Sequence, residues 1–436
     1  MSSSQKMLDF IQKSPSCFHA IYNIKEQLEK NGFSELKEEE IWKLEEGKKY
    51  FVRRNASSII SFTVPCKNFQ GFLMTASHSD SPSFKIKENP ELKSEGIVSL
   101  NVEKYGGMLI NPWFDRALSL AGRVIVSEKG KKLSFKSILV NFDRDLLMIP
   151  NLAIHMNRDA NDGHKVDLQQ EIRPIISSKE DFSFKKLLSK EAGVKEEEIL
   201  SYDLYLYNRD KGTFWGDKKE FISSPKLDDL ECAYTTLQGF LNAVKEGAAD
   251  KGKGKNALVY AVFDNEEVGS QSRQGAASTF LYDTLHRINE SFGRSEQEYL
   301  AAVAKSFLVS ADNAHAVHPN YASKADPVNK PGVNEGVVIK FNAAQKYTSD
   351  GVSAGVFKKI CDQAKVPYQI FTNNSNIAGG STLGNISNSQ VSVLSVDIGL
   401  AQWAMHSPNE SAGAKDVEYM EKAIAQFYKS DIQVIW

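Results

Sequence analysis

Asp264-Asn265-Glu266-Glu267-Val268-Gly269-Ser270 sets two adjacent carboxylates directly behind an apolar run, Ala257 to Phe263, that reads as a buried strand. Adjacent side chains leaving an irregular strand end need not point the same way. One can ligate a metal while its neighbour reaches a water held by that metal. Metal-assisted hydrolysis requires this pairing of a ligand with a base that is not a ligand. Alone, a Glu-Glu pair is also what a solvated helix surface carries, so its meaning depends on what else arrives at the same place.

In an open α/β sheet, ligands bind beyond the carboxyl ends of the strands. His78 follows the strand-like run Gly71 to Ser77, and Asp312 follows Phe307 to Ala311. His406 comes shortly after Val391 to Ile398, and Asp228 stands at a helix start behind a loop. Each has an ordinary alternative: a packed histidine, an N-cap at Asp228, a turn opened by Asp312 with Asn313. Their coincidence on one rim is the argument for a site. Two imidazoles and several carboxylates suffice for two ions sharing one carboxylate. Oxygen and imidazole donors suit zinc, manganese or cobalt. Asp80, two residues beyond His78, can accept the imidazole N–H and fix the ligating tautomer.

The elements that must position these residues alternate in type. Met7 to Phe33 is helical with a break at Ser14-Pro15, and Ser57 to Pro65 and Gly71 to Ser77 read as a hairpin or neighbouring strands. From about Lys85 to Ser224 helical periodicity fades. Short strands (Ile97 to Val102, Gly122 to Ser127, Phe135 to Phe142, Tyr202 to Tyr207) alternate with turns such as Glu128-Lys129-Gly130-Lys131-Lys132, and a polar stretch near Asp181 to Leu200 is helical in places. The α/β rhythm then resumes with helices at Leu227 to Val244, Gly275 to Ser291, Glu296 to Ser306, Ser353 to Lys365 and Val417 to Lys429. Between them lie strands at Ala257 to Phe263, Phe307 to Ala311, Val337 to Phe341, Tyr368 to Thr372 and Val391 to Ile398. The expected architecture is an α/β domain with a mostly parallel central sheet covered by helices, built from 1–86 and 224–436. It is interrupted by a β-rich domain over 87–223. A Gly-rich loop, Gly379-Gly380-Ser381-Thr382-Leu383-Gly384, precedes the last strand.

With 436 residues the chain exceeds one ordinary core. Its 53 basic and 55 acidic residues leave a net charge of −2, so bulk electrostatics favour neither nucleic acid nor an anionic membrane. The Met1-Ser2-Ser3-Ser4-Gln5-Lys6 start lacks the apolar core of an export signal, and no apolar run spans a bilayer. Cys17, Cys66, Cys232 and Cys361 lie far apart, as reduced thiols of a cytoplasmic protein do.

His78-Ser79-Asp80-Ser81-Pro82, Leu227-Asp228-Asp229, Asp264 to Ser270, the run Asp312 to Asn320 and Met405-His406-Ser407 together resemble the signature blocks of the aspartyl aminopeptidase family, which also contains vacuolar aminopeptidase I. Tyr105-Gly106-Gly107, Trp113-Phe114-Asp115-Arg116, Ala121-Gly122-Arg123 and Ile154-His155 fit the same pattern, in the same order, over nearly the whole chain. The resemblance implies a co-catalytic dizinc aminopeptidase acting on peptides with a free N-terminus, with cobalt or manganese as substitutes. Asp228 would bridge the two zinc ions of each subunit. His78 and Asp312 would complete one site, Glu267 and His406 the other, and Glu266 would be the general base activating a metal-bridging water. The insert would be a dimerisation domain of a homo-oligomer built from dimers, a dodecamer in the family. His155 would reach a neighbouring subunit's active site and leave a monomer nearly inactive. Gly380 and Ser381 would join His155 and Lys346 as substrate contacts.

Two positions depart from the family pattern. Ala344 stands where acid-preferring relatives carry a basic residue, so a preference for N-terminal Asp or Glu does not transfer directly; Lys346 is the candidate substitute. Asp229 stands where Asn is usual. The rival readings are a metal-dependent deacylase of N-acyl amino acids, which has no need of a free α-amine, and a non-catalytic, metal-stabilised peptide-binding shell, which has no need of Glu266.

Overall fold

Apolar runs with no water-facing side become the middle of a sheet covered on both faces. In this protein, a computed structural model describing residues 1–128 and 133–435, four such strands lie side by side in parallel. They are Ala257–Phe263, Phe72–His78, Phe307–Ala311 and Leu394–Gly399. Their carboxyl ends therefore share one rim. The full central sheet has nine strands and is mixed. Ser34–Leu36, Lys49–Arg54 and Ser58–Thr63 extend one side, Ser58–Thr63 running antiparallel to Ala257–Phe263. Val337–Phe341, antiparallel to Leu394–Gly399, and Tyr368–Thr372 extend the other.

Alternation along each strand separates two cores. Leu73, Leu258 and Val309 pack with Ile21, Leu237, Phe357 and Ile424 on one face. Met74, Val259 and Leu308 pack with Phe280, Tyr299 and Leu383 on the other. Each such side chain removed from water contributes roughly 1.5–3 kcal/mol.

The expected pairing of the strands near residues 57–65 and 71–77 does not form. Ala257–Phe263 lies between them, bonded to both. Apolar runs identify buried strands but not their neighbours, because Ser58–Thr63, Phe72–His78 and Ala257–Phe263 are all buried on both faces. Several elements escaped the pattern, among them the short strands Ser34–Leu36 and Lys49–Arg54, and two are instructive. Ser83–Ser94 is a long strand whose Lys, Glu and Asn content masks its alternation. Leu383–Gln390 is a helix written LGNISNSQ, whose Ser and Asn have weak intrinsic helix preference.

The second sheet has six strands within residues 83–208, starting at Ser83, and its own core of Phe84, Trp113, Leu120, Val124, Leu204 and Leu206. The Lys129-Gly130-Lys131-Lys132 part of the expected turn lies outside the described residues. Thr213–Trp215 and Phe221–Ser224 join a third, five-stranded sheet with Ala314–His315, Ala401–Trp403 and Glu410–Gly413. Gly122 pairs with Leu204 in the six-stranded sheet, and a Cβ there would lie 1.9 Å from the Asp203 carbonyl oxygen. Gly122→Ala should therefore destabilise the protein by about 1–3 kcal/mol. A lowered chemical-unfolding midpoint checks this, and an unchanged one would mean the strands can part at no cost. Among the described residues no helix is long and apolar enough to cross a membrane.

Candidate metal centre

The rim created by the four parallel strands gathers the titratable residues singled out above. His78 ends its strand with the ring buried. Its Nδ1 lies 3.1 Å from the Asp80 carbonyl oxygen and 3.4 Å from Asp80 Oδ1, leaving Nε2 to face Asp228 Oδ1 at 3.3 Å and Asp312 Oδ1 at 3.8 Å. His406 directs Nε2 at the other oxygen of Asp228, 3.4 Å away, and at Glu267 Oε2, 3.3 Å away. One carboxylate thus faces two imidazoles with its two oxygens. The ligand atoms of His78, Asp228, Asp229 and Asp312 lie within 4.8 Å of one another, as do those of Asp228, Glu267 and His406.

Local backbone geometry separates the two adjacent glutamates. Asn265 is left-handed (φ 62°), a conformation that Asn tolerates better than most residues, and Glu266–Val268 forms one tight turn closed by Gly269 at φ 99°. Asp80 accepts the amide N–H of Glu266 at Oδ1 (3.1 Å) and of Glu267 at Oδ2 (3.2 Å). Glu267 joins the group around His406. Glu266 belongs to neither group and lies on the wall of a pocket shared with Asp228, Asp312, Gly380, Ser381 and His406.

The other expected contacts fall differently. Lys346 donates to the Gly379 carbonyl (2.8 Å), tying down the Gly-rich loop, and is not in the pocket lining. His155 is exposed on a turn-rich stretch of the second sheet's domain, outside the lining of this pocket.

Three further residues complete the centre. Glu410 accepts the N–H of Asp228 (3.0 Å) and of His406 (2.7 Å), so one buried carboxylate holds the backbone of both. Asp229, already visible as a second acid, accepts the N–H of His78 (3.0 Å). Lys340 is buried and donates to the Asp312 carbonyl at 2.8 Å, with Asp312 Oδ2 3.6 Å away. A lysine inside the apolar run Val337 to Phe341 was the available sign of a buried cation with a partner. Glu410, the first residue of a four-residue strand, carried none.

Seven carboxylates (Asp80, Asp228, Asp229, Glu266, Glu267, Asp312 and Glu410) gather around His78, His406 and Lys340. Burial pushes Glu266 up to about 8, helped by Asp312, Asp80 and Asp228, although His78 opposes the shift. Burial and Asp228 push Glu267 well above the carboxylate range, and burial with Asp312 and Asp228 does the same to Asp229. Burial also works against a charged His78, but Asp229, Asp228, Asp312 and Asp80 outweigh it and hold the imidazolium far above its usual range. Asp228 shows the reverse balance: burial would raise it, and the close contacts with the His406 and His78 imidazoles win and lower it.

Asp228 Oδ1, Asp229 Oδ1 and Glu267 Oε1 are buried without a hydrogen-bond partner among the described residues. Orphaned anionic oxygens are costly unless a cation meets them. The donor set of imidazole and carboxylate is the one zinc takes. The residues fit a metal centre.

Comparison with known proteins agrees with that chemistry. A family profile described as "Aminopeptidase I zinc metalloprotease (M18)" matches residues 10–428. A protein of Clostridium acetobutylicum named "Probable M18 family aminopeptidase 2" is 46% identical over 435 residues, covering 98% of each chain. A Pseudomonas aeruginosa protein of the same name is 40% identical over 439 residues, again at 98% of each. Among solved structures, the cryo-EM structure of an Ape4 and Nbr1 complex superposes with a TM-score of 0.94 at 36% identity, covering 98% of this chain and 85% of that one. The S. cerevisiae mApe1 dodecamer superposes at 0.86 with 26% identity, covering 98% and 96%.

Proposed function

Because the chain belongs to the aminopeptidase I zinc metalloprotease (M18) family and is a metalloaminopeptidase, we propose that its two ligand groups hold a pair of zinc ions sharing Asp228. His78 and Asp312 would complete one site, Glu267 and His406 the other. Bound there, zinc would polarise the scissile carbonyl and acidify water. The observation that carries this reading is Asp228 facing His78 with one oxygen and His406 with the other, while Glu266 stands outside both groups.

The chain's own residues supply the rest of the chemistry. Glu266 takes the proton of the attacking water and passes it to the nitrogen of the leaving amine, so the peptide C–N bond breaks with the proton balance closed. Asp80 holds the turn that carries Glu266, and its contacts with His78 Nδ1 leave Nε2 toward the ligands. Gly380 and Ser381 line the far wall where the substrate backbone would lie. Lys340 gives that pocket a fixed cation, so a preference for an acidic N-terminal residue rests on Lys340 rather than on Lys346. Rates on peptides that begin with Asp, Glu, Ala or Leu, beside their N-acetylated forms, test both points. Turnover of the acetylated forms would favour a deacylase.

We further propose a cytoplasmic homo-oligomer built from dimers through the β-rich domain, on the pattern of the dodecameric S. cerevisiae relative. His155 would serve a neighbour's site from an exposed loop, where Ile154 and Met156 are 49% and 70% exposed. Light scattering across a dilution series should show activity falling as the assembly dissociates.

Metal uptake should be coupled to protons. In the metal-free site burial and the surrounding carboxylates favour the proton on Glu267, and those carboxylates favour it on His78, and each proton must leave before its residue ligates. Zinc titrated into metal-free protein should therefore release protons, and apparent affinity should rise with pH through the range where His78 titrates. Calorimetry in buffers of different ionisation enthalpy reads this directly. Identical heats in every buffer would contradict it.

A further inference from the structure

The stretch from Tyr105 to Leu109 leaves the six-stranded sheet and passes over the metal centre of its own subunit. The Tyr105 hydroxyl donates to Asp80 Oδ2 (2.7 Å) and accepts from Asn265 Nδ2 (2.8 Å). Asp80 is the residue whose two oxygens accept the Glu266 and Glu267 amides. Asn265 is the left-handed residue that begins their turn; Ser272 Oγ (2.7 Å) and Gln274 Nε2 (2.8 Å) donate to its Oδ1. One residue on, the contact continues. Gly106, at φ 79°, comes so close that a Cβ would lie 3.1 Å from Glu267 Cβ, and the Leu109 N–H donates to the His406 carbonyl (3.1 Å).

We propose that Tyr105 is a positioning residue for Glu266, acting through Asp80 and Asn265 to set the turn that aims the carboxylate. The proposal rests on the reading of Glu266 as the base. One hydroxyl bonds both flanks of that turn. Without it, Asp80 Oδ2 keeps only the Glu267 amide, and Asn265 Nδ2 has no remaining partner among the described residues. The turn is then held from one side, and a proton-transferring group needs hydrogen-bond reach of its target. The inserted domain thereby contributes to the chemistry of its own subunit, apart from any part it plays in assembly. The ring itself packs edge-on against Tyr205 at 5.4 Å, a contact that phenylalanine preserves. Tyr105→Phe therefore isolates the hydroxyl.

The test uses full-length, zinc-loaded protein as wild type, Tyr105→Phe, Glu266→Gln and the double variant, with kcat, KM, zinc content and melting temperature measured for each. Tyr105→Phe should lower kcat about ten- to a hundredfold, with KM within about twofold and zinc unchanged. In the Glu266→Gln background the same change should lower kcat no further, because a group acting only through Glu266 has nothing left to position. A wild-type kcat in Tyr105→Phe would overturn the proposal. So would an equal additional loss in the double variant, or a loss of activity that tracks lost zinc or lost folded protein. Glu266→Gln turning over at the wild-type rate would instead sink the base assignment, an outcome separable from the others.

Discussion

Glu266→Gln is expected to keep its full zinc content and lose turnover by about 10²- to 10⁴-fold, the usual scale for a general base. The exchange preserves shape and hydrogen-bonding length while removing the group that can carry a proton. Glu266 lies outside both ligand groups, so no donor to either is lost. Its amide is held by Asp80 through the backbone, so the turn keeps its anchor. The effect should fall on kcat, with KM little changed. The pH profile gives a second readout. Without cations, burial and the surrounding carboxylates hold Glu266 up at about 8; bound cations act in the opposite direction and favour the carboxylate. Wild-type activity should fall on the acid side as Glu266 gains its proton, and that limb should vanish from the residual activity of the variant. Elemental analysis showing lost zinc would assign Glu266 as a ligand instead.

Asp228→Asn should remove metal and activity together. Asp228 is the only residue in both groups, and its two oxygens face different imidazoles. An amide offers one oxygen and no charge, so both half-sites lose a shared anion at once. Turnover should drop to the uncatalysed background, below that of Glu266→Gln, and zinc should be absent by elemental analysis. Folding should tell the same story with the opposite sign. Ligand binding at about 100 times Kd stabilises a protein by about 2.7 kcal/mol, so zinc should raise the melting temperature of metal-free wild type. The variant should melt near metal-free wild type and show no response to zinc, since it gives up a buried carboxylate whose Oδ1 has no hydrogen-bond partner. A variant that retained two equivalents of zinc would end the bridging assignment.

Much of this site could be read in one dimension, for a reason that lies in the fold class. Parallel strands buried on both faces appear as continuous apolar runs, and their carboxyl ends are where catalytic residues gather. His78, Glu266, Glu267 and Asp312 could be located as residues that follow such runs. His406 was less direct, because a short strand, Ala401–Trp403, intervenes after Leu394–Gly399. Glu410 was invisible, since a carboxylate that accepts amides from two segments distant from each other leaves no spacing behind.

The linear order of residues determined which side chains were available for chemistry, that they fell at strand ends, and that a β-rich segment interrupts the larger domain. Only the tertiary structure decided which strands are neighbours, that Asp228 lies between His78 and His406, and that Tyr105 of the insert reaches the turn carrying Glu266. Burial period is a local property written along each strand. Adjacency is settled by the packing of the whole sheet, where Ala257–Phe263 takes the place between Ser58–Thr63 and Phe72–His78 that proximity in the chain had suggested they would share.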